Sequence, residues 1–153
     1  MTNTQIGDTL YRLFHTYRRA LLEAHAQSNI TLGVSQIRTL KSVGHLSECT
    51  AQAIVAHTLL DKAQITRAVN DLEKAGLIEK RAHPSDGRSS VISATPAGRR
   101  MLRRLHELET QAGARMALGL APDELAQFVR LANRMLDNLT EPVGSSSPSQ
   151  PHS

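Results

Sequence analysis

The chain has 153 residues, 40 % of them hydrophobic and 21 % charged, with two Phe, two Tyr and no Trp, so it has the length of one domain with an aliphatic core. Its one Cys excludes a disulfide framework and a Cys-rich zinc knuckle, and no opening resembles a secretory signal. No run approaches the roughly 18 apolar residues of a membrane span, so a cytoplasmic protein is expected. Lys and Arg number 18 and Asp and Glu 14, for a net charge of +4. Residues 60–104 alone hold ten cations and five anions. That local excess points to a polyanionic partner, because cationic patches gain affinity by releasing phosphate counterions.

Ile6, Leu10, Leu13, Phe14, Tyr17, Leu21 and Ala24 recur at three- and four-residue spacing, which predicts a long amphipathic helix to about Ala26. Ile30–Gly33 breaks it. Val34, Ile37, Leu40 and Val43 mark a second helix. Thr50 is a candidate N-cap for a third, short helix ending near His57. After the turn Thr58-Leu59-Leu60, Asp61 with Gln64 resembles a capping box opening a fourth helix. Ile65, Val69 and Leu72 form its apolar face, and Gly76 closes it.

The period then changes. Leu77–Arg81 and Ser90–Ser93 alternate as strands, and Ala82–Ser89 between them is rich in turn formers, which predicts a hairpin with a polar tip. Thr95-Pro96 opens a fifth helix, with Thr as N-cap and Pro at the first helical position. Met101, Leu102, Leu105, Leu108, Ala112 and Met116 line one side of it, and Arg99, Arg100, Arg103 and Arg104 the other. A sixth helix follows Pro122-Asp123-Glu124. From Glu141 the chain is a Pro-, Ser- and Gly-rich tail, expected to be disordered over 141–153.

Helix, short turn, helix and hairpin over about 50–93 is the order of a winged helix-turn-helix. The second helix of such a pair enters the major groove of duplex DNA by its N-terminal end, where each base pair shows a distinct pattern of donors and acceptors. Its early residues here are Lys62, Gln64, Thr66 and Arg67. Arg67 suits guanine, Gln64 adenine, and Lys62 phosphate or guanine. Lys80, Arg81 and Ser89 are further candidates on the hairpin. Arg88 at the tip suits a narrow minor groove. Asp86, which phosphate repels, fits better as the residue that orients Arg88 or bonds the hairpin backbone.

Asp61–Ile78, Asp86-Gly87-Arg88-Ser89-Ser90 and Thr95-Pro96-Ala97-Gly98 together resemble the MarR family of bacterial transcription regulators. Leu32, Gln36 and Leu40 resemble its second helix. The resemblance spans Ile6 to about Leu139. It implies a mainly α fold with a small β-hairpin wing (α+β), a helix-turn-helix at about 50–75 and a wing at about 77–93. It also implies dimerisation helices at about 5–27, 96–118 and 122–139. Lys62, Gln64, Thr66 and Arg67 match its recognition-helix positions, and Asp86 and Arg88 its wing. Three positions depart from the pattern: Ala63 stands where Ser is frequent, Leu59 where Gly is frequent in the turn, and Ala121 where a capping side chain is usual.

The apolar stripes of the first, fifth and sixth helices exceed what a small winged-helix core needs, and a second copy is the simplest cover. Two-fold symmetry then predicts a palindromic operator read by a homodimer. The resemblance also implies a small phenolic or carboxylate effector in a cleft beside the dimerisation helices, for which Tyr17, Arg18, Arg19, His25, Arg38 and His45 are candidates. Three other readings remain open. Zinc sensing would need His25, His45 and His106 to converge, redox sensing would need an accessible Cys49, and a nucleoid-type protein would bind duplex without sequence choice. No nucleophile–base pair or carboxylate pair marks an enzyme, and no cofactor or catalytic residue is expected.

Overall fold

The structure is a computed structural model that describes residues 2–140; the expected tail at 141–153 lies outside the described residues. The elements, in chain order, are α1 (Asn3–Gln27), α2 (Val34–His45), α3 (Ala51–His57), α4 (Lys62–Lys74), β1 (Ile78–Ala82), β2 (Ser90–Ala94), α5 (Pro96–Met116) and α6 (Pro122–Thr140). This is the mainly helical winged helix-turn-helix that the sequence predicts. The described residues form two units, one ending at Gly113 and the other beginning at Ala114.

Local chemistry sets the ends of the helix pair. Thr50 Oγ1 accepts from the Ala53 N–H at 3.1 Å and caps α3. Asp61 Oδ1 accepts from Gln64 N at 2.8 Å while Gln64 Oε1 accepts from Asp61 N at 3.1 Å. This reciprocal cap satisfies two donors that the first turn of α4 would otherwise leave open. Among the described residues, positive φ occurs at Asn29, Gly76 and Gly119 only. The turn at Leu59 therefore needs no glycine, and Leu59 stands 95 % exposed without backbone strain. Gly76, at φ 71°, ends α4 in the left-handed region that glycine enters without steric cost.

The hairpin is antiparallel, pairing Ile78 with Ala94 through Ala82 with Ser90. It starts one residue later than the sequence suggests. Leu77 is spent on other bonds: its N–H donates to Leu72 O at 3.0 Å and its carbonyl accepts from Thr95 N at 3.1 Å. β2 also leans on the α2–α3 connection, where Ile92 N donates to Cys49 O at 2.7 Å. Thr95 joins the hairpin to α5. Its hydroxyl donates to Gly76 O at 2.6 Å and accepts from Gly98 N at 3.1 Å.

The core lies in the first unit. Leu40, Ile54, Ile65, Leu72 and Leu105 are fully buried, each contributing about 1.5–3 kcal/mol by leaving water. α1 buries less than its periodicity promises. Leu10, Tyr11, Phe14 and Leu22 stay exposed on the single chain. In the second unit, α6 buries no residue at all, and Phe128, Val129, Leu136 and Leu139 face outward. Ala121 has no side chain to cap the first turn of α6, but the other half of a capping box is present: Glu124 Oε2 accepts from Ala121 N at 2.8 Å.

Candidate nucleic-acid interface

α4 turns Ile65, Ala68, Val69 and Leu72 into the core. The 3.6-residue period then leaves Lys62, Ala63, Thr66, Arg67 and Asn70 exposed. They divide between two sides. Thr66 and Asn70 look toward the hairpin, across a groove of about 500 Å³ that Thr50, Gln52, Lys80, Asp86, Arg88 and Ser89 also line. Arg67 and Gln64 look the other way, toward Gly33–Gln36 at the start of α2. One helix thus presents a basic group on one flank and amide and hydroxyl groups on the other. Thr50, Gln52 and Asn70 were not among the sequence candidates. Asn70 lies one turn after Thr66, and that spacing was the available signal.

Several candidates are engaged differently from what the sequence suggests. Gln64 uses Oε1 in the helix cap. A two-point contact to adenine needs that oxygen as well as the amide nitrogen, so the cap leaves it the nitrogen and one lone pair of the oxygen and fixes the direction in which the amide lies. Thr66 Oγ1 donates back to Lys62 O at 2.8 Å and keeps its acceptor side open. Lys80 does not stand free for phosphate. The alternation of β1 lays it over α4, where its Nζ meets Glu73 Oε2 at 3.0 Å and Asn70 Oδ1 at 3.2 Å. Arg81 pairs with Glu79, two residues before it on the same strand face, at 2.9 Å. Among the described residues neither Lys62 nor Arg67 meets a carboxylate, so both cations on α4's first two turns are available.

At the wing tip Asp86 takes the second of its two expected roles and bonds the hairpin backbone, meeting Arg88 through the main chain rather than the guanidinium: Oδ1 accepts from Arg88 N at 3.1 Å and Oδ2 from Ser89 Oγ at 2.9 Å. These bonds, with a smaller contribution from His83, hold its carboxyl below the ordinary aspartate range. Asp86 and Ser89 therefore shape the tip, and Arg88 is left to project from it.

The effector candidates separate. Tyr17, Arg18, His25 and Arg38 line one cavity of about 480 Å³, with Phe14 and the pair Lys41–Glu109, whose Nζ and Oε1 are 2.7 Å apart. Arg19 lies on a different depression, beside His15 and Leu22. His45 lies in a groove shared with His106 and Leu102. His25 is 7 % exposed, and neither ring nitrogen has a hydrogen-bond partner. Burial pushes its pKa down, against the pull of Glu109 and with that of Lys41. A neutral imidazole there offers one donor and one acceptor to whatever enters. Lys41 and Glu109 escaped sequence analysis because they are 68 residues apart.

The residues named for the two sensing alternatives are placed as follows. His25 does not join His45 and His106, and no three His, Cys, Asp or Glu gather among the described residues in a way that could hold a metal. Cys49 is buried rather than accessible, and burial pushes its thiol up to about 11. A thiol held neutral and covered is a poor redox sensor.

Residues 30–89 match the MarR family model. Among solved structures, the chain is similar to a probable transcriptional regulator from Pseudomonas aeruginosa, at 27 % identity and a TM-score of 0.70, over 85 % of this chain and 96 % of that one. It is similar to Bordetella bronchiseptica BpsR, whose DNA binding 6-hydroxynicotinic acid regulates, at 26 % identity and a TM-score of 0.67, over 87 % and 99 % of the two chains. An E. coli MarR variant solved with operator DNA shares the fold, with a TM-score of 0.74 at 21 % identity, over 86 % and 94 %.

Proposed function

We propose that this chain, whose residues 30–89 match the MarR family model, is a MarR-type, sequence-specific DNA-binding transcription regulator, acting as a cytoplasmic homodimer and repressor on a palindromic operator. The observation that carries this reading is the shared groove: Thr66 and Asn70 of α4 and Arg88 of the wing border one open space. A duplex is the ligand that matches a projecting helix and a cationic finger side by side. Lys62 and Arg67 add the free charge that steers and reads it.

A second copy supplies what the outward apolar residues of α1 and α6 lack on one chain. Large apolar side chains left in water in this number on a helix mark an interaction site. Dimerisation helices at about 5–27, 96–118 and 122–139 would then place two recognition helices about one turn of DNA apart.

A small aromatic acid is the proposed effector. The cavity at Tyr17, Arg18, His25 and Arg38 joins cations for a carboxylate to an apolar wall and an unpartnered imidazole. The regulation of BpsR by 6-hydroxynicotinic acid supports a ligand of that class. Among the described residues no helix is long and apolar enough to cross a membrane, and the family and fold are those of regulators rather than enzymes.

Footprinting on the DNA flanking its own gene tests all of this at once. A protected inverted repeat, bound about 10³-fold or more tightly than random duplex and released by 6-hydroxynicotinic or salicylic acid, is the expected result. Equal affinity for random duplex would favour a nucleoid-type protein. Sedimentation showing only single subunits at micromolar concentration would overturn the dimer.

A further inference from the structure

The hairpin tip is organised around a residue that the DNA-binding reading leaves unused. His83 sits where β1 ends, half-buried although the residues from Pro84 to Arg88 are exposed. Its Nδ1 accepts from two backbone donors, Ser85 N at 3.2 Å and Asp86 N at 3.1 Å, and lies 3.3 Å from Ser85 Oγ. Two N–H groups aimed at one ring nitrogen require that nitrogen to be the unprotonated one, which assigns the ring proton to Nε2. Nε2 in turn faces Glu48 Oε2 at 4.0 Å, on the connection between α2 and α3. His83 N also donates to Ser89 O at 3.1 Å and closes the loop.

The bonds run in series. His83 holds the backbone of Asp86. The Asp86 carboxylate holds the N–H of Arg88 and the hydroxyl of Ser89, and Ser89 N donates back to Asp86 O at 3.1 Å. Arg88 is the projecting cation at the end of this series. Without the ring acceptor, two exposed amides would turn to water, and the exposed loop would have little else to keep Asp86 facing Arg88.

We propose that His83 is a positioning residue for DNA binding, its Nδ1 setting the wing-tip backbone so that Asp86 presents Arg88 to the groove. The proposal rests on the DNA-binding reading for its consequence, though not for its geometry. A packing role would make His83 matter to stability wherever Arg88 points. A positioning role makes it matter to DNA affinity only while Arg88 is present.

The test uses His83→Ala, His83→Asn and Arg88→Ala, alone and combined, in the full chain. In the free protein, hydrogen exchange at the Ser85, Asp86, Arg88 and Ser89 amides should quicken in His83→Ala with the thermal midpoint unchanged. Affinity for duplex from the flank of its own gene should fall about tenfold in His83→Ala. In the Arg88→Ala background the same change should cost less than about twofold. His83→Asn should restore both readouts, because an Asn side-chain oxygen accepts from the amides two and three residues ahead in an Asx turn. Nitrogen NMR should find the wild-type ring proton on Nε2. Unchanged amide exchange in His83→Ala, equal losses in the two backgrounds, or an Asn variant no better than Ala would each overturn the proposal. Failure of the wild type to bind duplex would overturn the DNA-binding reading, and amide exchange would still decide whether His83 sets the tip.

Discussion

Gly98 and the carbonyl oxygen of Leu77 approach so closely that a Cβ on Gly98 would stand 1.9 Å from that oxygen. The contact packs the first turn of α5 against the junction of α4 and the hairpin, beside the Thr95–Gly76 hydrogen bond. It thereby sets how the wing leaves the recognition helix.

Gly98→Ala should therefore destabilise the fold by about 1–3 kcal/mol, the cost of overpacking where backbone rather than a flexible side chain must yield. Gly113, in the same helix, has nothing within 4 Å of its would-be Cβ. Gly113→Ala should stabilise by roughly 0.5–1 kcal/mol, from helix propensity alone. Urea unfolding of the two variants reads the opposite signs directly.

Arg67→Ala should relax sequence choice, costing about 1–3 kcal/mol on the operator and much less on random duplex. Lys62→Ala should weaken both alike and flatten the salt dependence by about one unit of slope. Lys80→Ala should change that slope less than Lys62→Ala does, since Glu73 already meets the Lys80 charge. Titration of fluorescent duplexes over a salt series separates the three; equal losses for Arg67→Ala on operator and random DNA would reassign the reading residue.

Cys49 should stay unlabelled by thiol reagents in the folded protein at neutral pH, and peroxide should leave DNA binding intact. Burial raises its thiol from 9.0 to about 11. The unfolded chain ionises first, so stability is full below the ordinary thiol value and falls as pH rises through the interval up to about 11. Cys49→Ala should remove that alkaline component of unfolding.

Asp86 gives the opposite sign. Its folded pKa is depressed, by the Arg88 N–H first and the Ser89 hydroxyl next. Its contribution to wing order is present above the ordinary aspartate value of about 3.9 and is lost as pH falls through the lower folded value. Carboxyl-carbon NMR should place its midpoint below that of an exposed aspartate, and Ser89→Ala should move it upward.

The helix pair was legible because its determinants are local. Asp61 and Gln64, Thr50, Gly76 and Thr95-Pro96 each act within about one turn of their own position, and apolar period alone distinguishes α4 from β1. Lys62, Thr66 and Arg67 were legible for the same reason, since a buried Ile65, Val69 and Leu72 force their neighbours outward. The ion pair that holds Lys80 was not legible, because its partner, Glu73, lies across a change of element. Asp86 was recognised as a supporting residue, but which atoms of Arg88 it holds depends on the loop's backbone path.

What the sequence determined by itself is thus everything set by spacing along one chain: the element order, the capped helix ends, the exposed face of α4 and the excess charge between residues 60 and 104. The tertiary structure alone decided the matters of distance between remote residues. It brought Lys41 to Glu109, left His25 buried beside a cavity without a partner, seated Ile92 on Cys49 and laid Lys80 on α4. Periodicity reports which way a side chain points, whereas the partner it meets depends on how separate elements pack, and that information is spread over the whole chain.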